Sequence, residues 1–328
     1  MKNTLEGLTW ERRWVSRLGC MKGCLDYLGR EVSSAWLYGA TGHAFIINMH
    51  EAICPSGPTA WNTEMVSRLA GNAGCLETVT LGFKQHDDFQ DAQKKAWDAV
   101  RSALDQGVPC YGWELAIPEF YVISGYDDVG YYYAGPQAEK GTQPKPWQAL
   151  GDTGIGVLEI HAVRSGDPVE PGTAVREALE LALKHARNPS RWIFEKYRAG
   201  IPGFDSWIAA VAAGRDEADG AMGMAYNAAV WSECRTMAAG FLEEALALGE
   251  QDAALAKARP QLEEARSHYE AVAARLASVA GMYPFGGPEM NHLKAEERRD
   301  RALAQLEAAR EAEKAGLLSL EEVVEALR

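Results

Sequence analysis

The stretch from residue 91 to residue 163 carries two kinds of apolar spacing. Asp91 to Gln106 has apolar residues at helical intervals and stops at Gly107, which predicts an amphipathic helix. Three β-branched and aromatic runs follow: Val108 to Leu115, Glu119 to Gly125 and Val129 to Ala134, with Asp127-Asp128 as the turn between the last two. Gly154 to Val163 reads as a fourth strand. One helix followed by a meander of strands predicts an α+β domain with an antiparallel sheet, not a βαβ repeat. Nearer the start, Cys20 to Leu28 reads as a short helix closed by Gly29.

Past about residue 170 the pattern turns wholly helical. Pro171 and Thr173 open a helix whose apolar Val175, Leu179 and Leu183 recur every four residues. Ala221 to Leu248 forms a long helix, and Leu262, Tyr269, Leu276 and Val279 line another. Breaks at Gly249 and at residues 284–288 separate these from a charged stretch, Leu293 to Ala315, and a short helix closing at Arg328. The division falls at Gly166-Asp167-Pro168, giving an α+β domain over 1–166 and a helical bundle over 167–328.

Composition narrows the partners. The chain has 328 residues, 47% apolar and 24% charged, enough to bury a sizeable core. A net charge of −13 argues against nucleic acid and anionic membrane surfaces, which need clustered Lys and Arg. The N-terminus has no apolar signal core, so a cytoplasmic location is expected. Six cysteines are scattered through the chain, and reduced thiols are expected rather than a disulfide framework. Cys20 and Cys24 are spaced C-x₃-C without a second pair, which is not a zinc pattern; no metal and no cofactor is expected.

The stretch LDQGVPCYGWELAIPEFYVISGYDD is similar to the part of papain-like, C39-type cysteine peptidase folds where a G-x-P-V strand precedes H-x-V-V-V-x-G-Y-D-D. With LGCMKGCLDYLG at the front and GFDSWIAAV at 203–211, the chain resembles the butirosin biosynthesis protein H group. That resemblance implies a papain-like N-terminal domain, a helical C-terminal extension, and acyl transfer or amide hydrolysis through a cysteine thioester. It puts Cys20 in the nucleophile's place at a helix N-terminus, where the dipole lowers a thiol pKa. The histidine position, six before Gly125, holds Glu119 instead. The place of an Asp or Asn after the next strand falls at Ala134-Gly135-Pro136, which contains neither.

An imidazole stabilises a thiolate, whereas a neighbouring carboxylate disfavours a second negative charge. Two readings of Cys20 therefore stand: a nucleophile assisted by Glu119 or by His43, which follows Gly42 in a turn, and a buried structural thiol. His161 alternates with Glu159 on one face of its strand, taken as the solvent face. Glu119 shares a regular strand's face with Tyr121 and Ile123, and its partner is either a protein cation or a cationic ligand. Glu114, Trp113, Tyr121 and Tyr126 are the candidates to line such a ligand pocket. Asn227, Trp231 and Arg235 share one helix face and read as interdomain packing. Two functions follow as expectations. One is a thiol hydrolase or acyltransferase acting on a small amine-bearing molecule. The other is a degenerate papain-like protein that binds a small cation at Glu119 without chemistry; either allows a homodimer.

Overall fold

A computed structural model describes residues 2–214, 218–287, 293 and 295–328. In chain order its elements are β1 (Asn3–Thr4), α1 (Ser16–Tyr27), α2 (Ser34–Ala40), β2 (Asn48–His50), α3 (Glu64–Ala70), β3 (Cys75–Phe83) and α4 (Phe89–Asp105). Then come β4 (Cys110–Trp113), β5 (Phe120–Tyr126), β6 (Gly130–Ala134), β7 (Lys145–Pro146), β8 (Val157–Ser165) and α5 (Pro171–Arg187). The rest is β9 (Tyr197–Ala199), α6 (Gly200–Ala212), α7 (Ala218–Leu248), α8 (Ala253–Lys257), α9 (Arg259–Met282) and α10 (Glu296–Ala326). The fold is mixed α and β, and the chain divides into two units: Met1–Ser34 with Gly74–Pro168, and Ala35–Ala73 with Val169–Arg328.

The first unit is built on an antiparallel sheet ordered β3-β8-β4-β5-β6-β7, with β1 beside the end of β5. Short turns explain the meander: β4 pairs with β5 and β5 with β6 directly, and Gly107 at φ +73° ends α4 ahead of β4. Helix α4 buries Phe89, Gln93, Ala96, Trp97, Val100 and Leu104 at helical spacing. Its Trp97 sets ring edges against Tyr126 and Tyr131 on one face of the sheet. Helix α1 covers the other face, where Arg17 lies over the Phe120 ring.

Helix α1 explains its own glycines. The segment Thr9–Glu11 runs against it, with Glu11 N–H donating to Gly19 O at 3.1 Å. A Cβ on Gly19 would meet the Glu11 carbonyl, and one on Gly23 the Thr9 carbonyl. Only glycine lets two backbones approach so closely.

The second unit packs α7, α9 and α10 with α5 and α6, and adds a two-stranded antiparallel pair of β2 and β9. Met224, Val230, Trp231, Cys234, Phe241 and Leu242 of α7 are buried. Arg235 is wholly buried and is answered by Glu313 of α10, with Nε and Nη2 each 2.8 Å from a carboxylate oxygen. Its Nη1 donates to the carbonyls of Ala44 and Ile46. Asn227 accepts from Trp231 and donates to Cys54 O, so the polar line on α7 serves its own unit rather than a domain boundary.

Several boundaries differ from the sequence reading. Helix α1 begins at Ser16, a turn before Cys20. The strand β3 appears where no strand is expected, and α10 is one continuous helix instead of a charged stretch and a separate short helix. The cut lies at 168/169, and residues 35–73 belong with the C-terminal part. Of the breaks, Pro288 lies outside the described residues.

Candidate active site

The loop 114–119 joins β4 to β5 and carries both candidate carboxylates of the first unit. Glu114 N–H donates to Glu119 O at 2.8 Å, Glu119 N–H to Ile117 O, and Ile117 N–H to the Tyr121 hydroxyl at 3.1 Å. Glu114 opens the loop at φ +58°, a conformation that side-chain-bearing residues adopt at an energetic cost. Its carboxyl accepts from Thr153 Oγ1 at 2.8 Å; burial pushes its pKa up, opposed by that hydroxyl and by Lys145.

Glu119 lies one residue ahead of β5 and is free of the strand's alternation. Its carboxylate accepts a hydrogen bond from the Oγ of Ser16, the first residue of α1. Ser16 Oγ in turn accepts from Phe120 N–H at 3.0 Å. Glu119 thus works on the α1 side of the sheet, whereas Tyr121, paired with Gly112, packs its ring against Tyr133 on the opposite side. Glu119 is half-buried and Pro118 beside it is exposed, while Ser16 is 2% exposed.

Cys20 occupies a different setting from the one its sequence position implies. It is the fifth residue of α1 instead of its N-terminus, and it is 0% exposed. Burial pushes its thiol well up, the Glu119 carboxylate adds to this, and a hydrogen bond with the Val122 backbone only partly offsets them. The dipole that would lower a thiol pKa acts within the first turn, which ends before Cys20. Cys24 is likewise buried and raised, first by burial and then by neighbouring thiols.

Arg17, next to Ser16, anchors a buried polar cluster beneath the first turn of α1. Its Nε donates to Tyr111 Oη at 3.3 Å, and its Nη2 and Nη1 lie 3.4 Å from Glu77 and 3.9 Å from Glu159. The Tyr111 hydroxyl donates to Glu77, and the Tyr111 ring stacks on His161 with centroids 4.4 Å apart. His161 Nε2 lies 2.7 Å from Glu159 Oε1 and its Nδ1 3.3 Å from Glu77 Oε2. His161 is therefore not on a solvent face: it is 1% exposed, because β8 is covered by α1 there. Burial opposes its proton, but Glu77 and Glu159 outweigh burial and Arg17, and its pKa is raised. Burial opposes the charge on Glu77, yet His161, Arg17 and Tyr111 hold its pKa at about 2.

His43 belongs to the second unit, in a turn opened by Gly42 at φ +75°. The sulfur within reach of its Nδ1 is that of Cys234, at 3.8 Å. The Tyr38 and Trp61 rings flank it. Burial pushes the Cys234 thiol up, with Arg235 opposing and Glu233 adding to the rise.

Of the remaining candidates, Trp113 packs on Phe120 at 5.1 Å and adjoins the loop, and Tyr121 ties the loop by accepting from Ile117 and donating to Pro136 O. Tyr126 is drawn away to Asp105 of α4, at 2.7 Å. Ser16, Arg17 and Glu77 are missing from the sequence reading. The signal for them was Ser16-Arg17 ahead of the Gly19 and Gly23 helix, and a lone acid, Glu77, in the alternating run CLETVTLGF. No group of three or more metal-ligating side chains occurs among the described residues, and no helix among them is long and apolar enough to cross a membrane. No protein-family model matches the chain, and comparison with curated proteins finds no relative.

Proposed function

We propose that the first unit is a papain-like domain that performs amide hydrolysis or acyl transfer on a small amine-bearing molecule. One observation carries the reading: the Glu119 carboxylate, at the position where the resemblance to the butirosin biosynthesis protein H group expects the base, meets Ser16 at the start of α1, one turn ahead of Cys20, where it expects the nucleophile. A half-buried carboxylate in a loop bounded by Trp113 and Phe120, whose rings pack 5.1 Å apart, also suits an ammonium group. The second reading, ligand binding without chemistry, is favoured by the burial of Cys20.

Two measurements separate them. Nitrophenyl esters and thioesters of short acyl chains, offered with polyamines or aminoglycosides as acceptors, should be consumed by the full chain. Thermal shift with the same amines should show a charge-dependent rise that Glu119→Gln loses. A shift without turnover leaves the binding reading; neither shift nor turnover removes both.

A further inference from the structure

We infer that Ser16 is the nucleophile of this site and Glu119 its general base, with no thiol taking part. The inference rests on the acyl-transfer reading above and names the reacting atoms within it. A hydroxyl has one hydrogen and two lone pairs. The Ser16 hydrogen is directed at Glu119, one lone pair accepts from Phe120 N–H, and one lone pair is left for attack. The base is itself oriented: its own backbone N–H and C=O are tied to Ile117 O and Glu114 N–H, which fix the end of the loop. A nucleophile on its base, with the base held by a third contact, is the arrangement that activates a hydroxyl.

The surroundings favour the same assignment. Ser16 heads α1, whose N-cap residue Val15 provides no side-chain cap, so the positive end of the helix dipole lies beside the attacking oxygen, where charge develops on the acyl group. Cys20, a turn further along, offers no competing route: burial and the Glu119 carboxylate both push its thiol pKa up, so the thiolate that would attack is disfavoured. Ser16 is itself 2% exposed, and the more open residues beside it are its partner Glu119 and the adjoining Pro118, the side on which we place the acyl group.

Ser16 Oγ bonds to the acyl carbon, its proton passes to Glu119, and the carbonyl π pair moves onto oxygen. Collapse of that intermediate breaks the bond from carbon to the leaving nitrogen, oxygen or sulfur, which takes the proton from Glu119. A Ser16 ester remains. An amine or water then attacks it, gives its proton to Glu119, and Ser16 leaves with that proton restored.

A fluorophosphonate probe tests the pair without a known substrate, because Ser16 Oγ would bond to phosphorus as fluoride departs. The full chain should gain one adduct, mapped by peptide mass spectrometry to Ser16 and unaffected by prior iodoacetamide. Ser16→Ala should abolish it, Ser16→Thr should retain a slow reaction, and Glu119→Gln should slow it about a hundredfold, the range for loss of a general base. Circular dichroism and melting of each variant separate loss of reaction from loss of fold. An unlabelled Ser16 in the folded wild type, or equal rates in wild type and Glu119→Gln, overturns the inference. Turnover of an acyl ester that survives Ser16→Ala also overturns it while leaving the acyl-transfer reading standing. A labelled Ser16 in a chain that turns over none of the acyl donors supports the pair and counts against the amine-directed substrate class.

Discussion

At the scale of single residues, the buried charges of the first unit set a pH window. Glu77 and His161 face each other and Glu159, Arg17, Tyr111 and Cys75, so their charges are mutually dependent. Glu77 falls from an ordinary 4.5 to about 2 on folding. Its stabilisation is complete above 4.5 and is lost as pH falls towards 2, at most about 3 kcal/mol. His161 is raised above its ordinary 6.5, so its contribution is complete below 6.5 and lost as pH rises through its folded value. Urea denaturation from pH 3 to 9 should therefore show a plateau between those limits. His161→Gln should remove the alkaline decline and Glu77→Gln the acid one; a wild-type profile flat across both arms would sink this account. In the second unit, Arg235→Met leaves the Glu313 carboxylate buried without a partner and should cost about 3 to 5 kcal/mol in urea denaturation. Adding Glu313→Leu should recover part of that loss only, because the carbonyls of Ala44 and Ile46 still lose their donor.

Helix α1 shows how an element is chosen by its neighbours. At an open helix position, Gly→Ala gains about 1 kcal/mol of propensity. Gly23→Ala should instead destabilise by about 1 to 3 kcal/mol, the range for overpacking, because the new methyl meets the Thr9 carbonyl. Far-UV circular dichroism in urea checks the sign, and a gain in stability would mean that segment 9–11 is not held against the helix. The same packing explains why α1 is hard to see in the sequence. Its first turn, Ser16 to Gly19, has no capping residue before it, and its burial on nearly every side erases the amphipathic stripe. The residue pattern therefore predicts a helix from Cys20, and with it a helix-end pKa that this thiol does not have. Elements with one wet face are easier: α4 and the strands around β4, β5 and β6 lie within a few residues of their expected places, since alternation and Gly107 mark them. The strand β3 is missed because, at the sheet edge, Leu76, Val79 and Leu81 stay exposed and its period marks no buried face. Glu119 is recognised as the odd residue of its motif, but its hydroxyl partner comes from 103 residues away, a contact no local pattern encodes.

For the whole molecule, the decisive feature is that the units are not consecutive in sequence. The chain leaves the first unit after Ser34, returns at Gly74 and leaves again after Pro168. Residues 35–73 hold Leu37, Tyr38, Phe45, Ile46, Ile47, Met49 and Trp61, each at most 4% exposed. Their contacts lie in the second unit: Phe45 with Phe241 and Tyr269, Trp61 with His185, and the β2 strand with β9. A composition shift cannot reveal such an excursion, because the segment resembles the first half of the chain in its Gly-rich, aromatic character. A fragment of residues 1–168 would therefore expose the whole of that apolar segment without its core. Burying a large apolar side chain is worth about 1.5 to 3 kcal/mol, so exposing several at once exceeds what a unit of this size can absorb. The fragment is expected to aggregate or to be cut by protease first within 35–73, while the full chain resists cleavage there. Limited proteolysis with mapping of the cut sites decides the matter: equal protection of 35–73 in fragment and full chain would show that this segment folds on the first unit instead.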